Sequence, residues 1–213
     1  MNPETMDRID AILRQAPVVP VLAVADADDA IPLAETLVAA GLPVLEITLR
    51  TPAALEVIRR MRTVPGAIVG AGTVLTAADL AAVQDAGATF AISPGGTDAL
   101  YAAAKTATIP LLPGIATASE LMRGLEHGWT RFKFFPAESS GGIAALKAFA
   151  GPFAQVKFCP TGGIDAAKAP GYLALPNVIT VGGSWMVPGE ALKARDWGRI
   201  RELAEGAAEL RGG

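Results

Sequence analysis

The sequence predicts an α/β fold, a single (β/α)8 TIM barrel with an extra N-terminal helix. Eight short apolar runs recur along the chain, and alanine-rich segments with helix signals lie between them. Alternation at roughly 21 to 26 residues per unit indicates parallel βα units, and eight such units most naturally close into a barrel. An open doubly wound sheet is the competing arrangement, but no G-x-G-x-x-G turn follows the first run. The 213 residues fit one domain, residues 1–213. That is shorter than the ~250 residues typical of the fold, so the loops must be lean.

Taken in order, residues 1–16 carry Ile9, Ile12 and Leu13 at helical spacing and predict the added N-terminal helix. The expected strands are Val18–Val24, Val44–Leu49, Ala67–Ala71, Thr89–Ser93, Pro110–Pro113, Arg131–Phe135, Val156–Cys159 and Val178–Val181. Each is short and rich in Val, Ile or Phe. Between them, Thr51-Pro52 reads as a cap before a proline at the first helical position. Thr76-Ala-Ala-Asp79 resembles a capping box with Asp in place of Glu. Gly41, Gly87 and Gly128 fall where the preceding helices should end.

Composition excludes several classes of function. Apolar residues make up 51 % of the chain, charged residues 18 %, and the net charge is −3, which gives no basic footprint for nucleic acid. The start, MNPETMDRID, has no apolar h-region, and no apolar run approaches the ~18 residues of a membrane helix. The single Cys159 rules out an internal disulfide framework and fits a reducing compartment, so a cytoplasmic protein without membrane partners is expected. His127 is the only histidine and sits in Glu126-His127-Gly128, where a cation would complement a helix end. One His and one Cys do not supply the usual zinc ligands, nor is there a G-x-S-x-G nucleophile elbow. No metal or cofactor is expected, and acid–base work falls to carboxylates and lysine.

Two lysines compete for that work. Lys133 lies within Arg131-Phe-Lys-Phe-Phe-Pro136 and is flanked by aromatic rings. Burial disfavours the charged ammonium, and a neutral amine is a nucleophile able to form a Schiff base. The competing reading is a strand-end lysine whose stem packs on rings while its head reaches water. Lys157, in Val156-Lys-Phe-Cys-Pro160, repeats the local pattern, and periodicity alone does not separate the two. In the second run, alternation places Leu45, Ile47 and Leu49 on one face and Glu46, Thr48 and Arg50 on the other. With the apolar face toward outer helices, Glu46 points inward and Arg50 falls at the strand's C-terminal end, the face on which barrel enzymes carry their sites. A purely structural Glu–Arg or Glu–Lys pair is the alternative. Glycine and threonine cluster at later strand ends: Gly70-Ala-Gly-Thr73, Ser93-Pro94-Gly95-Gly96, Pro113-Gly114, Thr161-Gly162-Gly163 and Gly182-Gly183-Ser184. The last two follow the seventh and eighth strands, whose loops frequently hold phosphate.

These residues resemble the 2-keto-3-deoxy-6-phosphogluconate (KDPG) aldolase / 4-hydroxy-2-oxoglutarate aldolase family. The matching stretches are Val44-Leu-Glu-Ile-Thr-Leu-Arg50, Gly70-Ala-Gly-Thr-Val74, Ser93-Pro-Gly95, Lys133-Phe-Phe-Pro-Ala-Glu138, Phe158-Cys-Pro-Thr-Gly-Gly-Ile164 and Gly182-Gly-Ser-Trp185, in order across nearly the whole chain. The resemblance implies a metal-free class I aldolase in a homotrimeric barrel, cleaving a small phosphorylated keto acid to pyruvate and glyceraldehyde 3-phosphate. Cleavage of 4-hydroxy-2-oxoglutarate to pyruvate and glyoxylate is a further implied activity. It assigns Lys133 as the Schiff-base lysine, Glu46 as the general acid/base, and Arg50 and Thr73 as carboxylate holders. Thr161 matches a position linked to stereochemistry, and Gly162, Gly163 and Ser184 match the phosphate end. Pro94, Phe135, Gly182 and Gly183 complete the expected substrate contacts. Two departures are Gly96, where relatives usually carry a larger apolar residue, and Ala116, where a hydroxyl residue is common. The alternatives are a phosphate-binding barrel isomerase and a noncatalytic trimeric scaffold.

Overall fold

A computed structural model describes residues 3–210, so the terminal residues of the expected 1–16 helix and 1–213 domain lie partly outside it. The strands are β1 (Val18–Leu22), β2 (Val44–Thr48), β3 (Ile68–Gly72), β4 (Ala91–Ile92), β5 (Leu111–Leu112), β6 (Gly114–Ile115), β7 (Arg131–Phe134), β8 (Lys157–Pro160) and β9 (Val181–Gly183). The helices are α1 (Pro3–Leu13), α2 (Ala30–Ala39), α3 (Ala54–Met61), α4 (Ala77–Asp85), α5 (Asp98–Ala104), α6 (Ala118–Glu126), α7 (Gly142–Ala150), α8 (Ala169–Leu173), α9 (Gly189–Lys193) and α10 (Trp197–Ala208).

All strand pairs are parallel and form a curled sheet. One part runs β5-β4-β3-β2-β1-β9 and the other β6-β7-β8. Proline explains the break between them. The expected fifth strand is two pieces separated by Pro113, which has no N–H to donate to a ladder. Its carbonyl still accepts from Lys133 N at 2.9 Å. On the other side, β8 and the β9 segment meet in two isolated parallel bridges, Phe158 with Val178 and Thr161 with Gly182. The last strand thus starts later than the expected Val178–Val181, because Val178 makes only a single bridge and the continuous ladder to β1 begins at Val181.

Alternation along the strands sorts two cores. Leu45 and Ile47 face outward into a cluster with Leu33, Val57 and Ile58 of the helical layer. On the inner face, Val19, Val44, Phe90, Ile92, Leu112 and Cys159 pack with Ile9 and Leu13 of α1. The extra helix therefore closes the N-terminal ends of the strands, and Arg131 holds it there through two bonds to Asp10, at 2.6 and 2.8 Å. Helix boundaries follow the sequence signals with one exception. Thr76 and Asp79 make the reciprocal capping box, and Gly41, Gly87 and Gly128 end helices at φ of +89, +89 and +93°. His127 caps α6, and its ring stacks on Tyr101 while Nε2 meets Asp98 at 2.9 Å. Thr51-Pro52 does not open a helix. The Thr51 hydroxyl donates to the Val24 carbonyl instead, and α3 begins after a turn, at Ala54.

Candidate active site

The pocket at the C-terminal ends of the strands is assembled from six segments of sheet and loop. Its volume is about 240 Å³, and its lining includes Glu46, Thr48 and Arg50 from the β2 segment. Thr73 follows β3, Pro94 follows β4, Lys133 and Phe135 come from the β7 segment, and Thr161 follows β8. Every predicted catalytic position and five predicted substrate contacts are thereby brought together. Val21 of β1 and Thr48 also line the pocket and were not predicted as contacts. The alternation that turned Glu46 and Arg50 inward already put Thr48 between them. For Val21 the sequence carried no such signal.

Glu46 and Lys133 form the floor. Lys133 Nζ donates to Glu46 Oε1 at 2.8 Å across the sheet interior, with side-chain exposures of 7 % and 2 %. Two opposite charges so deeply buried satisfy each other, where either alone would be costly. The ammonium also lies 5.5 Å from the centre of the Phe135 ring, a distance at which the ring's face attracts a cation. A Cβ at Gly72 would collide with Glu46 Oε1, so the close approach of β3 to the carboxylate requires glycine there.

Arg50 supplies the rim. Its Nε donates to Thr48 Oγ1 at 3.0 Å, and that hydroxyl in turn donates to the Leu22 carbonyl at 2.8 Å. Among the described residues no carboxylate pairs with Arg50. Since Lys133 and Glu46 offset each other, the pocket keeps one net positive charge, and a guanidinium fork suits a planar carboxylate. Beside it, Thr73 holds φ +59°, an uncommon conformation for a β-branched residue. Cys159 also faces the floor, pairing with Lys133 in the ladder. Burial pushes its thiol up to about 12, so it stays protonated and is no rival nucleophile.

Register separates the two lysines where local pattern does not. Lys157 pairs with Arg131, two residues below Lys133, and its Nζ reaches the Pro176 carbonyl at 2.8 Å. It lies at the N-terminal end, away from the pocket. Gly162, Gly163, Gly182, Gly183 and Ser184 do not line the pocket itself. Gly162 and Gly163 follow Thr161 directly, and Gly182 bridges to Thr161, so both loops open beside it. Gly96 has a packing reason: a Cβ there would collide with the Tyr101 hydroxyl. The Ala116 N–H donates to Glu120 at 2.8 Å in the box that starts α6, a bond that needs no hydroxyl.

This geometry has close parallels among known proteins. Residues 9–203 match the family model described as KDPG and KHG aldolase. The chain is 56 % identical over 201 residues to the KHG/KDPG aldolase of Escherichia coli K12, covering 94 % of each. A solved KDPG aldolase of Zymomonas mobilis with 3-phosphoglycerate superposes with a TM-score of 0.92 at 53 % identity, covering 95 % of this chain and 96 % of that one. A KDPG aldolase of Legionella pneumophila, with pyruvate captured as a covalent carbinolamine, has a TM-score of 0.91 at 50 % identity and covers 93 % and 97 %. This chain belongs to the KDPG and KHG aldolase family.

Proposed function

We propose that the protein is a class I aldolase that cleaves 2-keto-3-deoxy-6-phosphogluconate to pyruvate and glyceraldehyde 3-phosphate through a Schiff base on Lys133. The observation that carries this reading is the buried Lys133–Glu46 pair at 2.8 Å beneath an arginine with no carboxylate partner among the described residues. Passing a proton from Nζ to Glu46 frees the lone pair for attack on the C2 ketone. Glu46 returns that proton to the carbinolamine hydroxyl, which leaves as water and gives a protonated imine, whose positive nitrogen draws electrons from the C3–C4 bond. As that bond breaks, Glu46, directly or through a water, takes the C4 hydroxyl proton, and the aldehyde leaves. Proton return to C3 of the enamine and hydrolysis then release pyruvate and restore the amine. Arg50 and the Thr73 hydroxyl hold the C1 carboxylate, with Pro94 and Phe135 walling the pyruvate end. Thr161 lies toward C4. Gly162, Gly163, Gly182, Gly183 and Ser184 receive the phosphate at the mouth.

The wider architecture belongs to the same proposal. We infer that the sheet closes into an eight-stranded barrel forming one domain. Continuity of β5 into β6 across Pro113 and the two bridges between β8 and the β9 segment support this. No described helix is long and apolar enough to cross a membrane, and the family supports a cytoplasmic homotrimer. Sedimentation should give three times the 21.8 kDa chain mass.

The chemical test is reductive trapping. Pyruvate and borohydride should add one reduced pyruvate to the intact chain, mapping to Lys133. No adduct, or one confined to Lys157, would sink the mechanism.

A further inference from the structure

A cluster outside the pocket acts on the loop that follows Thr161. Glu138 stands five residues after Lys133, and its carboxylate is engaged at both oxygens. The buried Tyr172 hydroxyl donates to Oε1, and Lys168 Nζ lies 2.8 Å from Oε2. The same ammonium donates to the Gly163 carbonyl at 2.9 Å. The backbone adds a second tether, because Glu138 N–H donates to the Gly162 carbonyl at 3.1 Å and Ala137 N–H to that of Thr161 at 2.8 Å. Glu138 is thus bound to the loop through its own amide and, by way of Lys168, through its side chain.

Peptide planarity turns these tethers into an orientation. A trans peptide directs its C=O and N–H to opposite sides. With the Gly162 carbonyl on the Glu138 amide, the Gly163 N–H must point away from Glu138. With the Gly163 carbonyl on Lys168, the Ile164 N–H must point away from that ammonium. The fit is close: a Cβ at Gly163 would come within 2.8 Å of Glu138 Cγ, and the residue holds φ +77°. Tyr172 is anchored in the core, so the clamp is tied to a rigid element rather than to solvent-exposed arms alone. An isolated exposed ion pair would do little here. A carboxylate fixed by a buried hydroxyl can hold one ammonium in place.

We propose that Glu138, Lys168 and Tyr172 are positioning residues that orient the Gly162–Gly163 backbone for the phosphate of the aldehyde product, and so set the preference for a phosphorylated acceptor. The inference rests on the proposed phosphate role of this loop. None of the three touches the reacting atoms, so the pyruvate half of the reaction should not sense them.

The test runs the reaction in the condensation direction, joining pyruvate to glyceraldehyde 3-phosphate or to unphosphorylated glyceraldehyde. Tyr172→Phe, Glu138→Gln and Lys168→Ala should each raise KM for the phosphorylated aldehyde about tenfold, the effect of weakening one hydrogen bond to a charged group. kcat, the kinetics with unphosphorylated glyceraldehyde and borohydride trapping of pyruvate should be unchanged. Lys168→Arg should recover most of the loss. Tyr172→Phe removes one buried hydroxyl without changing shape, which keeps the test valid if a charge variant folds poorly. Equal losses with both aldehydes, or a loss confined to Lys168→Ala, would overturn the clamp; the latter would make Lys168 a direct phosphate ligand. Failure of the unmodified protein to trap pyruvate or to prefer the phosphorylated aldehyde would instead overturn the underlying reading.

Discussion

Glu46 reaches Lys133 only because β3 carries no side chain at Gly72, where a Cβ would occupy the place of the carboxylate oxygen. Gly72→Ala should therefore displace Glu46 and lower kcat about 100-fold, the scale of a catalytic group misplaced by about 1 Å. Native circular dichroism with unchanged kcat would show that Glu46 can shift without consequence. Glu46→Gln tests the carboxylate itself. It should still trap pyruvate, while exchange of pyruvate methyl protons, followed by NMR in D2O, should fall at least ~100-fold. Undiminished exchange would assign the base elsewhere. Cys159 gives a pH prediction. Its thiol titrates near 9 when free and is pushed up to about 12 here by burial. From pH 9 to 12 the unfolded chain has lost that proton while the folded chain keeps it, so stability must fall as pH rises. Urea melts of Cys159→Ala should show a shallower alkaline decline than the parent. At this scale the inward turn of Glu46 is legible from strand parity. The choice between Lys133 and Lys157 is not, because it depends on the stagger between neighbouring strands, which local pattern does not encode.

Elements were legible where the signal was self-contained. The Thr76–Asp79 box needs only residues three apart, and the helix-ending glycines need only their own backbone freedom. Thr51 misled because its hydroxyl found a carbonyl 27 residues away, on the segment after β1, rather than an amide in its own turn. Pro113 shows the same limit: the apolar run predicts one strand, but the missing N–H divides it in two. A second reciprocal box, Thr117 with Glu120, starts α6. Hydrogen bonds from Ala116 and Thr117 hold the Glu120 carboxyl below the usual range, against an opposing effect of burial. Thr117→Ala should cost about 1 kcal/mol in urea unfolding. A depressed carboxyl binds its proton less readily in the folded chain, so its contribution is present above the ordinary value of 4.5 and lost on acidification below it. The Thr117→Ala deficit should accordingly shrink at low pH. A deficit that is constant with pH would mean the box adds nothing through Glu120.

Across the whole molecule, chemistry and stability occupy opposite ends of the strands. The pocket opens at the C-terminal ends, whereas Ile9 and Leu13 of α1 fill the inner face at the N-terminal ends. The spacing of Ile9, Ile12 and Leu13 revealed a helix, but not what it covers. That became readable only once Asp10 met Arg131, 121 residues later. Between the two ends lie the packed inner side chains of Phe90, Ile92, Leu112 and Cys159, which separate the helix from the lysine above. Leu13 is 1 % exposed, so Leu13→Ala removes buried methyl groups and leaves a cavity, at a cost of about 2–5 kcal/mol. Under native conditions its kcat and KM should stay near the parent values, since Leu13 packs into the inner layer with Phe90, Ile92, Leu112 and Cys159 and is not among the residues that line the pocket. The paired measurement is a urea midpoint with steady-state kinetics at low denaturant. A large loss of kcat in a folded Leu13→Ala protein would mean that the inner core transmits the state of α1 to the Lys133–Glu46 pair, and the two ends would then be one mechanical unit.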